Sequence, residues 1–295
     1  MRDVKLDDMD LPFEERWENL TLANDFMFGK VFQDLDLCLE LIRLILPELH
    51  IERITLHERQ KAVHETLDTK GVRFDVYLHD DKGRIINIEI QIVNKDNIPR
   101  RTRAYHSIID LEAISAGKIR RYQDMPEVIV IFICAFDLFG QGRHVYTFRN
   151  ACAEDSRLTL DDGAKTIFLN TKGKADEISP RLKAFLELLN GKSSDDDFVK
   201  RLERRMSYAR QNLYWRQEYM WNMFERNEYI DEGIAIGEER GIAIGEERGI
   251  AIGEERGMHT ANIETAQRMR QAGMSDIEIH KLTLLPFEDI RNLLQ

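Results

Sequence analysis

Two carboxylates and an amide, Asp75, Glu89 and Gln91, fall within the stretch GVRFDVYLHDDKGRIINIEIQIV, residues 71–93. Val72, Phe74, Val76 and Leu78 alternate with Arg73, Asp75, Tyr77 and His79, the period-two pattern of a strand with one buried face. A second alternation follows, with Ile86, Ile88, Ile90 and Ile92 set between Asn87, Glu89 and Gln91. Asp80-Asp81-Lys82-Gly83 joins the two as a hairpin turn. With Asp81-Lys82-Gly83 as a three-residue loop and Gly83 left-handed, Asp80 pairs with Arg84 and Asp75 falls opposite Glu89. Like charges opposite each other on an antiparallel pair repel, so something must compensate them. Two candidates present themselves. One is Arg73, which would lie opposite Gln91; the other is a divalent cation held between the carboxylates, Mg2+ or Mn2+ being suited to hard oxygen ligands.

The flanking segments supply the elements that position this hairpin. From Asn24, NDFMFGKVFQDLDLCLELIRLIL opens on a capping residue and carries apolar residues near helical spacing, predicting one or two helices that Pro47 stops. Ile51 to Glu58 reads as a first strand. After the hairpin, Pro99 suits a helix start, Ile108, Leu111, Ala113 and Ile114 an apolar stripe, and Gly117 a stop. Val128 to Phe136 is a continuous apolar run, the sign of a strand buried on both faces. The resulting order is αβββαβ. Strand candidates at His144–Phe148 and Lys165–Asn170 extend the sheet, with helices near Ser179–Leu189 and Asp196–Tyr229 after them. Arg100, Arg101 and Arg103 open the second core helix beside the hairpin, and Lys118, Arg120 and Arg121 close it; the first group is the better placed to grip phosphates.

An Asp followed after thirteen residues by Glu-Ile-Gln, inside an αβββαβ order, resembles the active-site hairpin of the PD-(D/E)xK nuclease superfamily. It resembles specifically the Rpn branch of recombination-promoting nucleases and putative transposases, in which Gln commonly stands where Lys stands elsewhere. NDFMFGKVF is similar to that family's start, and the resemblance covers roughly residues 20–170. It implies an α/β fold with a restriction-endonuclease-like core, a mixed sheet and a helical C-terminal extension. It also implies a metal-dependent DNA endonuclease in which Asp75, Glu89 and the carbonyl of Ile90 hold Mg2+ or Mn2+, with Gln91 orienting a water. Asp25 or Glu40 would serve as a supporting acid, each with an ordinary alternative, a helix cap for Asp25 and a solvated face for Glu40. Arg103 and Tyr105 would be support residues, and Tyr105 shares a helix turn with Arg101. An amide cannot act as a base, since it only donates and accepts hydrogen bonds. A second class of function therefore stands beside the enzyme: a catalytically silent oligomeric DNA- or protein-binding protein on a nuclease-like fold.

Composition sets the outer bounds. A chain of 295 residues with 43% hydrophobic content can bury one sizeable core and a smaller unit. The net charge of −11 confines any DNA surface to a local patch. Cys38, Cys134 and Cys152 have neither paired nor zinc-ligand spacing, which points to a reducing cytoplasm. No apolar run approaches a membrane span, and the acidic start lacks a signal peptide's order. The divisions expected are an acidic, loosely held arm to residue 20, a core over 21–190, a helical extension over 191–232, a spacer over 233–257 and a small helical unit over 258–295. The spacer repeats GIAIGEER three times without change. Eight residues at about 100° each leave an offset of about 80°, so isoleucine pairs would spiral around a helix instead of forming a stripe. Six glycines weaken it further. The expectation is a marginal helical spacer, up to about 36 Å long, that gains order by self-association into a homo-oligomer. In the last unit, Ile277, Ile279, Leu282, Leu285, Ile290 and Leu293 would face inward, with Gly273 and Ser275-Asp276 between the halves. This unit has the size of a helix-turn-helix, but its second half lacks the basic start that a DNA-reading helix would need.

Overall fold

The computed structural model describes residues 11–56, 74–115, 117, 119–175 and 177–292. Arg73, the outer residues 72 and 57–58 of two expected strands, Lys118 and Leu293 lie outside the described residues. Contacts divide the chain into two units, residues 1–220 and 221–295.

The first unit begins with three helices, α1 (Phe13–Glu18), α2 (Asp25–Val31) and α3 (Leu35–Ile45). Asn24 caps α2 by accepting from the Met27 N–H, and Asp34 caps α3. Strands β1 (Ile54–Leu56), β2 (Val76–Asp80) and β3 (Ile85–Gln91) follow, then helix α4 (Ile98–Ser115) and strands β4 (Val128–Cys134), β5 (Val145–Phe148) and β6 (Ala164–Asn170). Helices α5 (Pro180–Leu189) and α6 (Asp197–Gln211) close the unit, and α7 (Leu213–Gln271) leads out of it. The αβββαβ order is therefore present, with shorter strands than the alternation suggested.

Among the described residues the strands form one mixed sheet in the order β1-β2-β3-β4-β6-β5. β3, β4 and β6 run parallel, and the outer pairings are antiparallel. Alternation sorts side chains onto two faces. Ile86, Ile88, Ile129, Ile131, Ile133, Ile167 and Leu169 pack with residues of α2, α3, α5 and α6 in the larger core. Ile85, Val128, Val130, Phe132, Cys134 and Phe168 pack beneath α4 in a second core. The face of α4 that is buried differs from the stripe expected. Ile98, Thr102, Tyr105 and Ile109 face the sheet at helical spacing, whereas Leu111 and Ile114 are exposed. A polar threonine and a tyrosine hide this face from a reading based on aliphatic residues.

Residues 13–20 are not a loose arm. Trp17 is 3% exposed, donates its indole N–H to the Arg210 carbonyl at 2.9 Å and packs against Phe26 and Tyr219. Arg210 in turn donates to the Leu20 carbonyl, and the buried Lys30 pairs with Glu218 at 2.5 Å. The acidic composition concealed an aromatic anchor that ties α1 and the start of α7 to α2.

α7 stays helical through all three repeats, and their isoleucines are exposed in every copy, as the angular offset requires. The helix break falls at Asn212, whose side chain accepts from the Trp215 N–H, so the expected helix over 196–229 is two helices. In the second unit, the end of α7 packs with α8 (Asp276–Thr283) and α9 (Phe287–Asn292) around Ala266, Ile279, Leu285 and Ile290. Ser275 and Glu278 form a capping box at the start of α8. Ile277 and Leu282 are exposed, against expectation; Ile263, Met269 and Met274 complete the core instead. None of the described helices is long and apolar enough to cross a membrane.

The aromatic anchor makes a measurable claim. Trp17→Ala should cost about 3–5 kcal/mol in urea denaturation, as expected for an emptied aromatic site. A change within about 0.5 kcal/mol, the range of surface substitutions, would show that α1 contributes nothing to the core.

Candidate active site

The β2–β3 turn fixes the register. Gly83 has φ +80° and donates to the Asp80 carbonyl, while Asp80 donates its own N–H to the Arg84 carbonyl at 3.1 Å. The buried Asp80 carboxylate accepts from the Lys82 and Arg84 N–H groups and pairs with the Arg84 guanidinium. From this anchor His79 pairs with Ile85 and Val76 with Ile88, which places Asp75 opposite Glu89 one step further on. The residues that turn the chain thus determine which residues meet at the other end of the hairpin.

Glu89 is 3% exposed on the face covered by α4. Its Oε1 accepts from the Asp75 N–H at 3.2 Å and from Asn87 Nδ2 at 3.1 Å. Its Oε2 lies 3.4 Å from the Tyr105 hydroxyl and 3.5 Å from Arg101 Nη2. Asp75 Oδ2 accepts from the Ile90 N–H at 2.9 Å. Odd-numbered residues of β3 turn their backbone groups to β4, as the bonds from Ile85 N–H to Glu127 and from Ala135 N–H to Gln91 show. The N–H and carbonyl of Ile90 therefore point the other way, to the side of β2, where the N–H meets Asp75.

Helix α4 brings the positive charge. Arg101 donates to Gln91 Oε1 and to the Tyr105 hydroxyl, both at 2.7 Å, and its guanidinium stacks over the rings of Tyr105 and Phe132. Residues four apart share a helix face, so Arg101 and Tyr105 reach the hairpin together. Arg103, expected as the support residue, is exposed, as is Arg100. Two positions along a helix is about 200° around it, which turns Arg103 away. Gln91 donates Nε2 to the Val93 carbonyl and accepts from Arg101, leaving one amide hydrogen and one lone pair for a water. Arg121 pairs with Asp124 at the far end of α4.

The two proposed supporting acids do not join the site. Glu40 forms ion pairs with Arg181 and Arg201, and Asp25 is exposed, its Oδ1 accepting from the Phe26 N–H. Both belong to helices packed on the opposite face of the sheet from Glu89. Among the described residues there is no group of three or more His, Cys, Asp and Glu side chains placed to hold a metal. Asn87, by contrast, was missed. It follows the same alternation as Glu89, two residues earlier on the same face, and that spacing was the available signal.

Burial pushes the Glu89 carboxyl above its ordinary range, and repulsion from Asp75 adds to the shift; Asn87, the Asp75 N–H and Arg101 oppose it. Tyr105 is pushed up to about 12, first by burial and then by Glu89. Two carboxyl groups set against each other supply hard oxygen ligands that fit a divalent cation, whose charge would offset their repulsion. Mg2+ needs only one or two carboxylates because it keeps several waters.

This mixed sheet with an acidic hairpin beneath a helix defines a restriction-endonuclease-like α/β domain. The family model described as PD-(D/E)XK nuclease family transposase matches residues 22–233, and the chain belongs to that family. No curated protein and no solved structure matches it.

The electrostatics give a pH test. A carboxyl whose folded pKa is raised contributes stability that is fully present below its ordinary value of 4.5 and is lost as pH rises through the raised value. In EDTA, the melting temperature should fall from 4.5 upward through neutrality, and Asp75→Asn should reduce that slope by removing the like charge. Equal slopes for both proteins would contradict the pairing of Asp75 with Glu89.

Proposed function

We propose that the protein is a metal-dependent DNA endonuclease in which Asp75, Glu89 and the Ile90 carbonyl hold Mg2+ or Mn2+. The observation that carries this reading is the register that sets Asp75 against the buried Glu89 just before β2 begins, with the Ile90 N–H bonded to Asp75. When bound, the cation would lower the pKa of a water and offset charge on the phosphate. Gln91 has the wrong chemistry for a base but has one donor and one acceptor position left to orient that water. Its other bond holds Arg101, which brings to the site the positive charge that a lysine in place of Gln91 would have carried. Tyr105 fixes the guanidinium through its hydroxyl and ring. Arg100 and Arg103, exposed on the same helix, are available to DNA phosphates. The transposase named in the family's description supports DNA rearrangement as the setting, and three free cysteines support a cytoplasmic one. Exposed isoleucines along the repeats support self-association through the C-terminal helix.

One observation favours the catalytically silent reading: each carboxylate already accepts a backbone N–H from the other strand of the hairpin. The two readings separate on supercoiled plasmid. Wild type should nick it only with Mg2+ or Mn2+, Asp75→Ala should abolish nicking, and Arg101→Ala should slow it by roughly 10–100-fold. No cutting by wild type, together with Asp75→Asn destabilised by about 1–3 kcal/mol, would leave a structural hydrogen-bond network and end the nuclease reading.

A further inference from the structure

Asn87 is 0% exposed in the middle of β3, flanked along the strand by Ile85, Ile86 and Ile88 and paired with Tyr77 and Val130 across the sheet. Its Oδ1 is buried with no hydrogen-bond partner among the described residues. A buried acceptor left unpaired is unfavourable, and an aliphatic side chain would suit these neighbours better. The amide's place must therefore be explained by its other end. Nδ2 donates to Glu89 Oε1 at 3.1 Å. The reverse orientation would set Oδ1 against Oε1, two acceptors face to face, so the carboxylate itself fixes which way the amide lies.

The two oxygens of Glu89 are held unequally. Oε1 has two N–H donors, from Asn87 and the Asp75 backbone, at 3.1 and 3.2 Å. Among the described residues Oε2 has only the longer approaches of Tyr105 and Arg101, at 3.4 and 3.5 Å. We propose that Asn87 is a positioning residue that tethers Glu89 through Oε1 and so presents Oε2 to the divalent cation. This rests on the metal reading of Asp75 and Glu89 given above. Asn87 touches neither cation nor substrate; it acts by fixing the rotation of a ligand, as outer partners of metal ligands do.

Calorimetric titration of the full chain with Mn2+ tests this with three proteins. Asn87→Leu removes the donor and the orphaned acceptor at similar volume; Asn87→Gln keeps an amide donor. Asn87→Leu should weaken Mn2+ binding by about 10–100-fold while its metal-free melting temperature stays unchanged or rises. Asn87→Gln should bind more tightly than Asn87→Leu. Wild-type affinity in Asn87→Leu, or equal weakening in both variants, would overturn the proposal. Absence of Mn2+ uptake by wild type would remove the metal reading itself, a distinct result that also overturns it. A measurement on the unaltered protein covers the case in which Asn87→Leu does not fold. The side-chain amide NMR signal of Asn87, assigned by its loss in the Asn87→Gln spectrum, should move as Mg2+ is added, and a signal that stays fixed overturns the proposal.

Discussion

Two carboxylates facing each other across an antiparallel pair repel, and in water that cost is small because solvent screens it. Here one of them, Glu89, is buried, and the screening is lost. The surroundings of the hairpin become intelligible as responses to that constraint. Backbone N–H groups of Asp75 and Ile90 cross between the strands to the carboxylates, Asn87 adds a donor from within β3, and Arg101 approaches from α4. These contacts oppose the upward shift of the Glu89 carboxyl without cancelling it, because burial, with repulsion from Asp75 added, still favours its neutral form. Two carboxyls that resist being ionised together are matched to a cation, whose charge would offset the repulsion and draw off the proton.

The same constraint orders the larger architecture. Asp80 and Gly83 set the register at the turn, and the register carries through β2 and β3 to the carboxylates. β4 and β6 extend the sheet in parallel, so that Glu89, Phe132 and Phe168 stand side by side on the face under α4. Stacking on Tyr105 and Phe132 holds the Arg101 guanidinium, which limits how far that charge can leave the site. A lysine on β3 would be a flexible point charge; an arginine braced by two rings and two hydrogen bonds is a fixed one.

Much of this was legible in the sequence because strands have a period of two and turns have specific chemistry. The hairpin register, the αβββαβ order and the doubly buried β4 follow from alternation, from Gly83 and from an uninterrupted apolar run. What escaped reading depends on tertiary packing. Trp17 sits in an acidic segment and is buried because the end of α6 and the start of α7 return to it from about two hundred residues later. Helix α4 buries a threonine and a tyrosine while exposing Leu111 and Ile114, since its inner face meets a polar site as well as a core. Asp25 and Glu40 were plausible acids by position, yet their helices pack on the far face of the sheet, which one-dimensional order does not reveal. Arg101 and Arg103 were equally eligible until the helix phase was known.

The central claim, that the opposed carboxylates are a cation site and not merely a hydrogen-bonded hairpin, is tested most directly by anomalous diffraction from crystals grown with Mn2+. The account predicts one strong peak bounded by Asp75, Glu89 Oε2 and the Ile90 carbonyl, each oxygen roughly 2.0–2.4 Å from the ion. A peak confined to other residues, or none at saturating Mn2+ with the Asp75 carboxylate still bonded to the Ile90 N–H, would contradict it.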